Sequence, residues 1–240
     1  MANYRIRGMK DWIDDLCGCD FFENIPYGSE DLHIGQFFEG HIKYPFFTSP
    51  KVLELDRYDQ ENELNSIFKI VDYNPSSIGQ RMRPIRQLNL RSTDRLYIIP
   101  GKIRTVILLK IIENIWIEDE IINMALCLPT SSFKDYHSRD FVIKTQLFDF
   151  PQFFYIKPSE NGAKAESAAR FDLLQFIPLA NLKPVKNETS DSCFMLSTFI
   201  MKLMFNHMSK FIFGEPYDVA LDEEIIAFRD IILSDENLQV

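Results

Sequence analysis

No apolar run in this sequence is long enough to span a bilayer; the longest helical candidate, near 194–213, is interrupted by Lys202, Asn206 and His207. The opening residues, MANYRIRGMKDW, lack the apolar segment of a secretory signal. Cysteine is sparse as well. Cys17, Cys19, Cys127 and Cys193 make no disulfide framework, and Cys127 and Cys193 sit in apolar runs that read as buried thiols. Cys17-x-Cys19 is half a metal site, with no second pair or nearby histidine to complete the ligand set that zinc needs. The expectation is a cytoplasmic chain with no membrane span, no cofactor and no metal.

What is present is core-forming material. The 240 residues are 46% hydrophobic and include 21 Phe, enough for one large domain or a small domain with extensions. A net charge of −9 argues against generic nucleic-acid binding, since phosphate contacts need cations. The distribution is uneven. Between 81 and 110 lie Arg81, Arg83, Arg86, Arg91, Arg95, Lys102, Arg104 and Lys110 against the single acid Asp94, a net of +7 that leaves −16 for the remainder. Such a stripe serves an RNA path; equally, it serves a solvated loop or one paired with the acidic segments 11–31 and 54–63.

Two β-type runs, Arg104–Ile112 and Ile121–Leu128, are rich in Ile, Val and Leu and joined by a short acidic link. Gly101-Lys102-Ile103-Arg104 enters the first, and Pro129-Thr130-Ser131-Ser132 leaves the second. Paired antiparallel, they bring Arg104 beside Thr130 and Ser131, a cation and two hydroxyls at one rim of a sheet. That is a candidate phosphate or RNA-backbone site. Further on, Arg170 and Asp172 are spaced i, i+2 on Ser167–Ile177, which reads as a strand, so both side chains share one face. The plainer alternatives are a surface ion pair at Arg170–Asp172 and an ordinary strand-ending turn at Thr130-Ser131.

Gly-x-x-Arg before an aliphatic strand, a second such strand ending in Pro-Thr-Ser, and Ala168-Ala169-Arg170-Phe171-Asp172 followed by Ile177 occur in that order within residues 98–186. This arrangement resembles the PemK/Kid/MazF toxins, growth inhibitors of toxin–antitoxin systems that are small ribonucleases on a half-open SH3-like barrel. The resemblance implies a mainly β, α+β fold: a half-open antiparallel barrel with an insertion and C-terminal helices. It implies a metal-independent endoribonuclease that cleaves single-stranded RNA through its 2′-hydroxyl. Asp172 would be the base, Arg170 and Arg104 would stabilise charge, and Thr130 and Ser131 would hold the scissile phosphate. Arg81, Arg83, Arg86, Lys102 and Lys134 are the candidate RNA-backbone contacts, and Phe133, Tyr136 and Phe171 the candidate stacking platforms. The implied partners are single-stranded RNA, a second copy in a homodimer, and a protein partner, either an antitoxin or a defence-system subunit. Two departures stand out: Thr105 occupies the place where the family has Pro, and no histidine lies between 42 and 104 to supply the loop histidine of the Kid branch unless His41 or His137 reaches in. The missing loop histidine, the long insertion and the acidic surface favour an alternative, a catalytically inactive MazF-like interaction or scaffold subunit.

The expected layout is a single domain over 1–240. An acidic N-terminal extension (1–34) carries a short helix, Met9–Leu16. The barrel spans 35–186, with an insertion at about 49–96 containing strands Val52–Arg57 and Ile67–Asp72. Arg139–Phe148 and Phe153–Lys157 read as further strands, and Leu179–Val185 closes the barrel region. The helices of 187–240 run from an Asp191 cap to Gly214-Glu215-Pro216, and over Asp222–Leu233; His207 on the first reads as structural.

Overall fold

The computed structural model describes residues 18–28, 32–44, 51–74, 83–88, 96–117, 119–160, 162–187 and 192–234, together with 16, 76, 90–92 and 94. The expected helix Met9–Leu16, Cys17, Arg81, Arg95 and the Asp191 cap lie outside these residues, except for Leu16. The chain is mainly β, with antiparallel sheets and C-terminal helices. Its strands, in chain order, are β1 (Phe22–Pro26), β2 (Phe37–Lys43), β3 (Lys51–Arg57), β4 (Ile67–Asp72), β5 (Leu96–Ile98), β6 (Gly101–Ile117), β7 (Glu120–Ser132), β8 (Phe153–Ile156), β9 (Ser167–Arg170), β10 (Gln175–Pro178), β11 (Lys183–Pro184) and β12 (Ser192–Leu196).

Two compact units result. One contains Met1–Ile42 and Ile103–Val240, the other Lys43–Lys102. In the second, β3 is the middle of a three-stranded sheet ordered β4-β3-β5. In the first, the strands run β11-β2-β6-β7-β9-β8, with β10 also on β7, and among the described residues this sheet does not close into a barrel.

The β6–β7 hairpin is its axis, as the two aliphatic runs lead one to expect. Val106 pairs with Pro129 and Ile107 with Leu128, antiparallel. Val106–Leu109 and Cys127–Thr130 are buried without a break, so both faces of the sheet are covered at this end. Toward the tip the ladder slips between Ile112 and Ile115, where Asn114 adopts φ 58°, a conformation that asparagine tolerates better than branched residues do.

Three expectations are corrected. Arg139–Phe148 is not a strand: Arg139–Gln146 is a helix. Ser138 caps it by accepting the Phe141 N–H at 3.2 Å, Asp140 and Lys144 pair at i, i+4, and Val142, Thr145 and Gln146 turn inward together. Ser167–Ile177 is not one strand either. β9 pairs with Thr130–Ser132 and β10 with Met124–Cys127, so the chain must step along the edge of β7 between them. It does so in a 3-10 turn, Phe171–Leu173, opposite Pro129, a residue with no N–H to offer a ladder. Finally, the expected long helix begins late. Ser192–Leu196 is β12, paired with β1, and the helix is Thr198–Phe213, ended by Gly214 at φ 81°.

The core lies between the sheet and that helix, with Phe21, Phe22, Phe37, Ile107, Leu128, Phe154, Phe194 and Leu203 all buried. The acidic N-terminal segment therefore contributes a strand and two core phenylalanines. The last helix is Val219–Ser234. Among the described residues no helix is long and apolar enough to cross a membrane.

Candidate functional site

Antiparallel partners share a sheet face, and successive residues alternate. Thr130 pairs with Ala169, Ser131 with Ala168 and Ser132 with Ser167. On the far side of β9, Arg170 pairs with Phe153 and Ala168 with Tyr155. One face thus carries Thr130, Ser132 and Ser167, and the other carries Ser131, Ala168, Arg170, Phe153 and Tyr155. The β6–β7 register, continued one step past Val106–Pro129, puts Thr105 beside Thr130 and Arg104 beside Ser131. A hydrogen bond from Thr130 Oγ1 to the Thr105 carbonyl, 3.1 Å, fits that continuation.

The five residues singled out in the sequence are therefore divided. Arg104, Ser131 and Arg170 share a face. Thr130 lies on the opposite one, 7% exposed, with its hydroxyl donated to the neighbouring strand. It acts as a cross-strand latch and is not grouped with Ser131.

Asp172 belongs to the Arg170 side although it sits in the 3-10 turn beyond β9. Arg170 Nε donates to its Oδ1 at 3.1 Å and Nη2 to its Oδ2 at 2.5 Å. The pair is bidentate, and its side chains are 28% and 24% exposed, enclosed yet reachable. The Arg170 guanidinium also lies 5.7 Å from the centre of the Phe153 ring.

Phe153 opens onto an aromatic cluster that sequence reading found only in part, because Phe141 belongs to the helix misread as a strand. Phe153, Phe150 and Phe141 meet at 5.4–6.0 Å, with Phe141 from the helix Arg139–Gln146. Phe141 stacks on His137 at 5.2 Å and packs edge-on to Phe133. Tyr136, 82% exposed, lies 4.5 Å from His137. Of the expected stacking residues, Phe133 and Tyr136 are in this cluster. Phe171 is not: it is 3% exposed and packs between His207 and Phe211. The Lys134 backbone N–H donates to His137 Nδ1 at 2.8 Å, holding the turn that carries both.

Glu166, also absent from the sequence reading, accepts hydrogen bonds from Tyr155 Oη at 2.6 Å and Gln146 Nε2 at 2.7 Å. Nothing in its sequence context marks it. It ties the helix to the face carrying Ser131 and Arg170.

The basic stripe is split between the two units. In Lys43–Lys102, Arg83 lies over the Tyr58 ring at 3.7 Å. Tyr58 donates to Glu63 at 2.6 Å, and that bond, then one from the Gln87 backbone, holds the Glu63 carboxyl below its usual range, with the nearby charge of Arg86 a smaller contribution. Arg83 and Arg86 thus engage the acidic segment 54–63, the plainer of the two readings. Lys102 sits 5.9 Å from the Tyr44 ring.

Among the described residues no group of three His, Cys, Asp or Glu is arranged to hold a metal ion. His41 is exposed on β2, and His207 donates from Nε2 to the Phe150 carbonyl at 3.2 Å. Burial holds the His207 pKa below its ordinary value and pushes the Cys127 thiol up to about 12. In comparisons with known proteins, no family model, no curated protein and no solved structure matches the chain.

Proposed function

We propose that the chain is a PemK/Kid/MazF-type endoribonuclease that cleaves single-stranded RNA through its own 2′-hydroxyl, on an open form of the SH3-like half-barrel. The observation that carries this reading is the bidentate Arg170–Asp172 pair, reachable from solvent, on the face shared with Ser131 and Arg104. Asp172 takes the 2′-hydroxyl proton as the oxygen attacks phosphorus; the P–O5′ bond breaks, and the departing 5′-oxygen takes a proton from water. Arg170 and Arg104 stabilise the charge that gathers on the phosphoryl oxygens, the kind of preorganised stabilisation that dominates many active sites. Arginine stays protonated over the working pH range, so its part is electrostatic. Ser131 contacts the phosphate without Thr130.

The aromatic cluster supports a polymer substrate, since unpaired bases stack on exposed rings and on guanidinium planes. Tyr136 and Phe133 would receive bases next to the scissile position. His137, two rings removed from Arg170 through Phe141 and Phe153, would sit beside a neighbouring nucleotide and not at the reacting phosphate. In this reading the protein works as a homodimer, held in check by an antitoxin or another partner, in the cytoplasm.

The test is incubation of the purified protein with varied single-stranded RNA in excess chelator, followed by end-group analysis. The expected products carry 2′,3′-cyclic phosphate and 5′-hydroxyl ends. A second reading, an inactive MazF-like interaction or scaffold subunit, has its own support: an apolar groove of about 390 Å³ at the end of the Thr198–Phe213 helix, lined by Phe205, Met208, Ile212, Phe213 and Tyr217. It is favoured if no RNA is cut.

A further inference from the structure

The β6–β7 hairpin outruns the rest of its sheet. On β6, the neighbour β2 starts at the level of Leu108, which exchanges backbone hydrogen bonds with Gly35 and Gln36. On β7, the ladder with β10 ends at Met124. Beyond those points residues 111–117 and 120–123 have, among the described residues, only each other as strand partners: Ile115 pairs with Ile122, Trp116 with Ile121 and Ile117 with Glu120. A two-stranded ribbon is marginal in water on its own, and this one is apolar on both faces. Trp116, 66% exposed, and Ile121, 58% exposed, form a cross-strand pair on one face. Ile115 and Ile122, both half-buried, pair on the other, where Ile117 is 42% exposed. The sequence 111–123 holds six Ile and one Trp, together with Glu113, Glu118, Asp119 and Glu120 and no Lys or Arg. Glu113, Asp119 and Glu120 are exposed and enter no ion pair among the described residues.

We infer that this hairpin tip docks a protein partner whose contact surface is an apolar face bordered by Lys and Arg. Charge decides the occupant. Nucleic acid is repelled, because phosphate contacts need cations and the tip carries only acids. A bilayer is disfavoured as well: its cytoplasmic leaflet is anionic, and carboxylates lose their hydration beside lipid. A second copy docked tip to tip sets acids against the same acids, since an isologous contact places one patch on both sides. An apolar face with a basic rim complements both features of the ribbon. Trp116 and Ile121 are its anchors, the carboxylates face the rim, and an Arg of the partner can lie over the indole. The backbone works against the competing mode, strand addition. Asn114 at φ 58° and the slip between Ile112 and Ile115 break the edge of β6, the Asn114 N–H is donated to Asn123 Oδ1 at 3.0 Å, and Glu113 adds a charge. Side chains therefore carry the contact. The surface goes beyond the nuclease reading and uses none of its residues.

The experiment is an amide-resolved NMR titration of the full chain with two synthetic amphipathic helical peptides, one built of Leu and Lys and its counterpart of Leu and Glu. Saturable shifts at Ile115, Trp116, Ile121 and Ile122 with the Leu/Lys peptide, and not with the Leu/Glu peptide, are expected. Trp116→Ser with Ile121→Ser keeps every acid and should raise the dissociation constant at least about tenfold, as truncated anchors do. Glu113→Gln with Glu120→Gln keeps the apolar pair and should weaken binding about two- to fivefold, as exposed ion pairs do, with a flatter salt dependence. All four positions are exposed, so both variants keep the fold. Absence of saturable shifts, shifts confined to residues outside the tip, equal binding of the two peptides, or a serine variant that binds like the parent would overturn the inference. So would either outcome that gives the tip another occupant: a dimeric mass by light scattering that the serine variant abolishes, or tip-dependent sedimentation with phosphatidylcholine–phosphatidylserine vesicles. The titration needs neither RNA nor cleavage, so failure of the nuclease reading and failure of this one are told apart.

Discussion

Thr130→Val keeps the shape of a buried side chain and removes one hydroxyl, which makes it a clean probe of how the site is divided. The hydroxyl donates to the Thr105 carbonyl at 3.1 Å, and the side chain is 7% exposed. Its loss leaves that carbonyl without its side-chain donor, and a net intramolecular hydrogen bond contributes about 0.5–1.5 kcal/mol. The valine methyl recovers part of this by burial. The expected outcome is destabilisation of about 1 kcal/mol, a fall of about 2–4 °C in Tm for a chain of this length, read by far-UV circular dichroism. RNA affinity and cleavage should be unchanged, because Thr130 faces away from Arg170 and Asp172. Ser131→Ala should give the reverse pattern: a stability change within about 0.5 kcal/mol, as for most partly exposed positions, but weaker RNA cleavage. An unshifted melting temperature in Thr130→Val together with a loss of RNA binding would refute the division of the two hydroxyls between opposite faces.

Other outcomes follow from packing and titration. Gly162→Ala should destabilise by about 1–3 kcal/mol, the cost of forcing a methyl into a filled site, measured by urea denaturation. Ser138→Ala removes the cap of the helix Arg139–Gln146 and should cost about 0.5–2 kcal/mol, with selective loss of amide protection in that helix by hydrogen exchange. His207 is held neutral by burial, so its folded pKa lies below the unfolded value of about 6.5. Its contribution to stability is complete above that pH and declines as the pH falls toward the folded pKa, because the unfolded chain takes up the proton first. His207→Gln should flatten the loss of Tm between pH 7 and pH 5.5.

The hairpin at the centre of the sheet was legible because unbroken runs such as Val106–Leu109 need burial on both faces, and only a central strand supplies it. The contiguity of Arg170 and Asp172 was legible for a cruder reason. Residues two apart are neighbours in a strand, and a long guanidinium arm spans the gap even when the second residue enters a 3-10 turn. The helix Arg139–Gln146 was missed because Phe141, Ile143 and Leu147 alternate as a strand does, while the signals that decide the matter are Ser138 at the cap and the Asp140–Lys144 pair. The break after Arg170 is a demand of tertiary structure, set by two ladders that share one edge of β7. No local pattern in the sequence marks it. The opposite facing of Thr130 and Ser131 follows from the period of a strand once the strand is known to run through Ser132 without a turn.

The central claim is that Arg170 and Asp172 are a catalytic pair, and Asp172→Asn tests it most directly. The substitution keeps the size of the side chain and removes the base. Cleavage of single-stranded RNA in excess chelator, followed as first-order loss of a defined substrate, should slow by about 10²–10⁴-fold, the range for a lost acid–base group, while the far-UV spectrum and melting temperature stay close to those of the parent. Equal rates for the parent and Asp172→Asn, or no cleavage by the parent of any RNA offered, would contradict the account and leave the Arg170–Asp172 pair as a structural clasp at the end of β9.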